Sequence, residues 1–137
     1  MPVASSLPVL VVDDSKVIIA VIEKLLRQIG FAEVDDAADG LIALAKMRAK
    51  RYGLVISDWN MQSMTGQELL RRVRSDPALK STPFIMMTAE SNTSRVIAAK
   101  RAGVDNYIIK PFSSQTLKKK VDTVFAARNA AALAEAY

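Results

Sequence analysis

The sequence predicts an α/β domain built on a parallel sheet, and three observations predict it. Short apolar runs recur at "PVLVV" (8–12), "GLVIS" (53–57) and "FIMMTA" (84–89). Stretches with helical spacing of apolar residues lie between the strand signals, so the order reads βαβαβαβαβα without repeats or low-complexity inserts. The strong runs are apolar throughout rather than alternating, which suits strands covered on both faces. Such alternation gives a doubly wound, five-stranded parallel sheet with helices on both faces, because each crossover lays its helix over the sheet.

Each element has its own local signal. The first strand ends in two carboxylates, and Ser15 then has the side chain of a helix N-cap. The helix it opens carries Val17, Ile18, Val21, Ile22, Leu25, Leu26 and Ile29 at helical spacing and stops at Gly30. The second strand, "AEVDDA" (32–37), is more polar and is expected near a sheet edge. Asp39 starts a second helix through Leu41, Leu44, Ala45 and Arg48 to about Lys50. After the third strand come a loop and a helix from about Gly66 to Arg74, and "SDPALKSTP" (75–83) is turn chemistry. The fourth strand leads to a helix over about 91–101 that ends at Gly103. "NYII" (106–109) is the fifth strand, broken by Lys110-Pro111. Ser113 or Ser114 opens the last helix, and the Ala-rich residues 129–137 either extend it or fray. One domain over 1–137, with a core at about 7–128, is expected.

Composition narrows the chemistry. The chain has no Cys, which excludes thiol chemistry, and no His, which excludes Ser-His-Asp triads, imidazole acid–base catalysis and imidazole metal sites. Any metal is then a hard cation held by oxygen, such as Mg²⁺. The formal charge of +5 comes from Lys and Arg scattered over helix surfaces, which argues against DNA binding. No basic-flanked apolar leader and no run of membrane-spanning length is present, so a cytoplasmic location without membrane insertion is expected.

In an open parallel sheet, residues just past the carboxyl ends of the strands share one place. Asp13 and Asp14 follow the first strand, Asp58 ends the third in "LVISDWNM" (54–61), Thr88 closes the fourth, and Lys110 follows the fifth. Taken singly, these are a capping carboxylate, a turn hydroxyl or a solvated lysine. Together at one sheet end they point to a site. Carboxylates a few Å apart repel by on the order of 1 kcal/mol per pair even in a wet setting, so a cation is expected among them. Mg²⁺ suits the oxygens, and Lys110 suits an anion delivered from outside. The set fits a phosphoryl group.

"VVDDS" (11–15), "ISDWNM" (56–61), "TAE" (88–90) and "YIIKPF" (107–112) resemble, in order and spacing, the signature blocks of response-regulator receiver domains, above all the stand-alone chemotaxis regulators. The similarity runs from about Val9 to Phe125. It implies a flavodoxin-like (βα)5 fold with strand order 2-1-3-4-5. It also implies a phosphoacceptor signalling protein rather than an enzyme, monomeric, that takes a phosphoryl group on Asp58 from a histidine kinase. Asp14 would bind Mg²⁺ directly and Asp13 mostly through water, with the Asp58 carboxylate and the Asn60 backbone carbonyl completing the protein ligands. Lys110 and Thr88 would hold phosphoryl oxygens, while Asn60 and Glu90 would tune dephosphorylation. The missing His fits a donor histidine that arrives in trans.

The resemblance further implies that Thr88 and Tyr107 form a switch that repacks the face made by the fourth helix, fifth strand and last helix. That face carries Arg95, Lys100, Arg101, Tyr107 and the Lys118, Lys119, Lys120 run. It suits an acidic segment, such as a flagellar motor switch peptide or a kinase domain, with an anionic nucleotide messenger as the lesser alternative. A phosphate sink or shuttle for a kinase has the same chemistry. Two departures stand in the loop after Asp58: Gln62 where the family usually has Pro, and Thr65 where an acidic or amide residue is common. Without the Pro, that loop is expected to be more mobile. A flavin mononucleotide binder of the same fold would want backbone amides at its phosphate rather than three carboxylates. A degenerate receiver would lack an acceptor, metal or Lys position, and this chain lacks none.

Overall fold

The first strand, Val9–Val12 (β1), is buried along its whole length, and the alternation of its side chains decides the layering of the molecule. The structure is a computed structural model that describes residues 6–89 and 93–136. Val9 and Val11 face one core, built with Ile19, Ile22 and Leu26 of Lys16–Gln28 (α1) and Leu117, Val121 and Val124 of Ser114–Ala136 (α5). Leu10 and Val12 face the other, built with Leu44 and Met47 of Gly40–Ala49 (α2), Leu69 and Leu70 of Gly66–Ser75 (α3) and Ala99 of Thr93–Arg101 (α4). Helices therefore cover both faces of the sheet.

The remaining strands are Val34–Ala37 (β2), Leu54–Asp58 (β3), Phe84–Thr88 (β4) and Asn106–Ile109 (β5). All pairings are parallel, in the order β2-β1-β3-β4-β5. This is the flavodoxin-like arrangement expected. Central β3 and β4 are buried throughout like β1, whereas β2 and β5 are only partly covered because they form the edges. The polar character of the second strand thus reflects its edge position.

Helix starts follow the side chains. Ser15 accepts from the Ile18 amide and Asp39 from the Ile42 amide, each satisfying an otherwise orphaned donor. Gly30, at φ 111°, closes α1 in the left-handed region. α1 differs from expectation in one respect. Its apolar residues outnumber the positions that face the core, so Val17 is 72% and Val21 50% exposed. α5 continues as unbroken helix through Ala136. No helix among the described residues is long and apolar enough to cross a membrane.

The amino ends of β4 and β5 are fastened by a network around Asp105. Its carboxylate accepts from Arg74, from Arg128 and from the Phe84 amide. Arg74 also donates to the carbonyls of Lys80, Thr82 and Gly103, and Arg128 to that of Ser81. This network lies at the end of the sheet opposite the strand carboxyl ends.

Candidate functional site

Register alone brings the strand-end residues together. Val12 of β1 is level with Ser57 of β3, so Asp13 emerges beside Asp58. Asp58 is level with Met87 of β4, and Thr88 is level with Ile109 of β5, so Lys110 emerges one step beyond Thr88. The chain moves outward from β1 to β2 and then returns to β3 on the far side, which opens a crevice at the β1/β3 carboxyl ends. Asp13, Asp14 and Asp58 stand at that crevice.

The Lys110 ammonium lies 3.0 Å from Asp58 Oδ1 and 3.6 Å from Asp13 Oδ2. Asp58 and Thr88 are 6% and 4% exposed, Asp13 is 1% exposed, and Asp14 is open to solvent. One oxygen of Asp13 accepts from the Ser15 amide at 2.9 Å, while Oδ2 is buried without a hydrogen-bond donor. Burial pushes the Asp13 carboxyl above the ordinary carboxylate range; the Ser15 amide opposes this, the charge of Asp58 adds to it, Lys110 opposes, and Asp14 adds. One carboxylate oxygen from each of Asp13, Asp14 and Asp58 lies within 4.8 Å of the others. An oxygen-only donor set with an orphaned buried oxygen fits a hard divalent cation.

The backbone holds this arrangement firmly. The Trp59 amide donates to the Met87 carbonyl at 2.9 Å, and the Lys110 amide to the Thr88 carbonyl at 2.7 Å. The Gly66 amide donates to the Trp59 carbonyl at 2.8 Å, which sets the start of α3 directly against β3. A Cβ on Gly66 would stand 2.1 Å from the Asp58 carbonyl oxygen. The loop between them turns at Ser63, at φ 61°, and is anchored by buried Met64. Thr65 accepts from the Glu68 amide at 3.1 Å. Thr65 is thus the N-cap of α3, a role its spacing to Glu68 signals in the sequence but one that the family comparison of that position obscured.

The other expected residues divide. Asn60 is exposed just past the crevice, and Glu90 lies outside the described residues. Tyr107 is half-buried on edge strand β5, packed against the core on the α4 side, with the Lys120 ammonium 5.2 Å from its ring centre. Lys100, Arg101, Lys118 and Lys119 are exposed, and Lys118 pairs with Asp122 at 2.7 Å. Arg95 does not join them in solvent. It is half-buried, with its guanidinium over Trp59, a contact with no sequence signal because it depends on where α4 docks.

The sequence profile of the response regulator receiver domain matches residues 9–122. The chain belongs to that family. The receiver is 42% identical over 117 residues to the chemotaxis protein CheY of Pseudomonas aeruginosa, covering 85% of this chain and 94% of that one. Its fold superimposes on the chemotaxis protein CheY4 of Vibrio cholerae with a TM-score of 0.81 at 39% identity, covering 87% of this chain and 98% of that one. It is also similar to the receiver domain of the Pseudomonas aeruginosa sensor histidine kinase PA1611, whose structure has a magnesium ion coordinated in the active-site cleft. That match has a TM-score of 0.78 at 27% identity and covers 87% and 98% of the two chains. The protein is a CheY-like receiver domain of a two-component response regulator, a class of signalling protein.

Proposed function

We propose that this receiver accepts a phosphoryl group on Asp58 from a phosphohistidine of a partner kinase and transmits the change to its α4-β5-α5 face. The observation that carries this is the Lys110 ammonium held between Asp58 and Asp13 at the β1/β3 crevice. An Asp58 oxygen attacks the phosphorus as the bond from phosphorus to the donor imidazole nitrogen breaks, and the imidazole leaves with the electron pair and is protonated. Lys110 would stabilise negative charge on the transferred oxygens, and the Thr88 hydroxyl would bond one of them, a reading that the burial of Thr88 one strand over from Lys110 supports. Asp13, Asp14, Asp58 and the Asn60 carbonyl are the groups that would hold Mg²⁺, which when bound supplies neutralisation of the charge that develops in transfer.

A donor must dock to deliver its histidine. Beside Lys110, the exposed apolar side of α1 borders a cavity of about 340 Å³ lined by Ile18, Val21, Leu25, Ala89, Pro111 and Phe112. That apolar rim suits the helical face of a kinase phosphotransfer domain. The outgoing signal runs through Thr88 and Tyr107. Tyr107 lies between the core and Lys120, so a change in its packing alters the basic surface presented to an acidic downstream segment, of the kind a flagellar motor switch would supply.

Trp59, the only Trp, adjoins Asp58 and reports on the site. Its fluorescence should change on titration with Mg²⁺ and again on addition of acetyl phosphate, with the second change absent in Asp58→Asn. Intact mass should show one added phosphoryl group on the wild-type protein. A Mg²⁺ response with no donor response and no mass change would remove self-catalysed transfer from small donors. Silence to both would remove the site.

A further inference from the structure

Several arginine guanidiniums in this protein are spent on acceptors. Arg74 and Arg128 donate to Asp105 and to backbone carbonyls, and Arg72 faces Glu68. Arg95, in the first turn of α4, is different. Its Cζ lies 5.5 Å from the centre of the Trp59 ring, and its Nη1 is buried without a hydrogen-bond partner. A buried donor left unbonded is costly, and stacking on an indole only partly offsets the cost. The indole is 8% exposed and belongs to the residue immediately after Asp58, fixed by backbone bonds to β4 and α3. A cation with a donor to spare therefore rests on the side chain that follows, in sequence, the residue where negative charge is to be added.

Three carboxylates crowd the crevice, and Lys110 is the cation paired with them among the described residues. A phosphoryl group on Asp58 would add further negative charge and oxygens that accept hydrogen bonds. We propose that Arg95 is a positioning residue that answers to the charge on Asp58. Its guanidinium rests on the indole while Asp58 is bare and turns to the anion when Asp58 carries one, drawing the first turn of α4 with it. This rests on the phosphoacceptor reading above, and it gives α4 a handle on the site that is separate from Thr88 and Tyr107.

Beryllofluoride tests it, because it binds a carboxylate as a non-transferable stand-in for a phosphoryl group. With Mg²⁺ saturating, Trp59 emission is followed against beryllofluoride for the wild-type protein, Arg95→Ala, Arg95→Gln, Arg95→Lys and Asp58→Asn. The half-saturating concentration should rise about fivefold or more in Arg95→Ala and Arg95→Gln, the lower end of usual coupling between sites. Arg95→Lys, which keeps the charge without the planar fork, should fall between. Affinity for Mg²⁺ alone should hold or tighten, whereas general damage to the fold would weaken both ligands. If Arg95→Ala does not fold, Arg95→Gln decides, since it keeps the stem that packs on the indole. A wild-type response with unmoved half-saturation in Arg95→Gln overturns this inference alone. A wild-type protein silent to beryllofluoride overturns the phosphoacceptor reading, and this inference with it.

Discussion

The Lys110 ammonium stands 3.0 Å from Asp58 Oδ1, so the nucleophile already has a counter-ion before any ligand arrives. The same cation competes with a metal for the carboxylates. Replacing Lys110 with Met should tighten Mg²⁺ by about tenfold, the equivalent of one screened charge pair. It should also slow phosphoryl uptake from acetyl phosphate by about 100-fold, as expected for loss of one preorganised charge donor. Calorimetric titration and time-resolved intact mass read the two effects separately. Weaker Mg²⁺ binding in the variant would show that Lys110 organises the carboxylates rather than opposing the metal.

Asp13 gives the metal-free fold a distinct pH dependence. Burial raises its carboxyl above the unfolded value of 3.8, so between those two points the folded state holds a proton that the unfolded chain has lost. This contribution makes the protein less stable as pH rises through that window, the reverse of an ordinary salt-bridged carboxylate. Asp13→Asn should therefore be more stable than wild type at pH 7 without metal, by on the order of 1 kcal/mol, as expected for removing one like-charge pair. The advantage should shrink on acidification, as the folded carboxyl takes up its proton ahead of the unfolded chain. Thermal melts of both proteins across pH without Mg²⁺ measure the difference, and an advantage that grows on acidification would refute the assignment.

Gly66 sets the distance between α3 and β3. Its missing side chain lets the helix start approach the Asp58 carbonyl, where a Cβ would meet backbone at 2.1 Å. Gly66→Ala should cost about 2 kcal/mol, in the range for overpacking, and should also weaken Mg²⁺ because Asp58 must shift. Ala at an ordinary first-turn position would be neutral or stabilising, so urea unfolding gives a clear sign.

Asp105 unites α3, β4, β5 and α5 far from the crevice. Removing it leaves two arginines, Arg74 and Arg128, without their shared carboxylate. Asp105→Ala should destabilise by about 2 kcal/mol, as for losing hydrogen bonds to charged groups that are partly buried, while leaving the Asp58 half-saturation with beryllofluoride within twofold at temperatures where the variant is folded. Loss of binding by the folded variant would mean that the two ends of the sheet are mechanically coupled.

Much of the fold was written locally. Val-rich runs of four or five residues, Ser15 and Asp39 as caps and Gly30 as a stop are decided by neighbours in the chain, so they read directly from it. Family resemblance supplied the strand order, which no periodicity reveals. The apolar pattern of the first helix over-reported its burial: Val17 and Val21 face solvent because a helix buries one stripe, whatever the count of its apolar residues. The Thr65 cap has a local signal in the Thr65-to-Glu68 spacing, but Thr65 was read only as a departure from the family pattern. The Asp105 fastener was not legible, since its partners are 21 to 31 positions away.

By itself the sequence determined the chemistry available: oxygen donors without imidazole or thiol, and Asp13, Asp14, Asp58, Thr88 and Lys110 at strand ends. Only the tertiary structure decided how they meet. Parallel register puts Asp13 beside Asp58 and Lys110 within reach of both, burial leaves Asp13 Oδ2 without a donor, and the docking of α4 sets Arg95 on Trp59 instead of in solvent. The physical reason is range. Strand ends and caps depend on residues a few positions apart, whereas desolvation, ion pairing and ring stacking depend on surfaces that become neighbours only when the sheet is assembled and the helices pack against it.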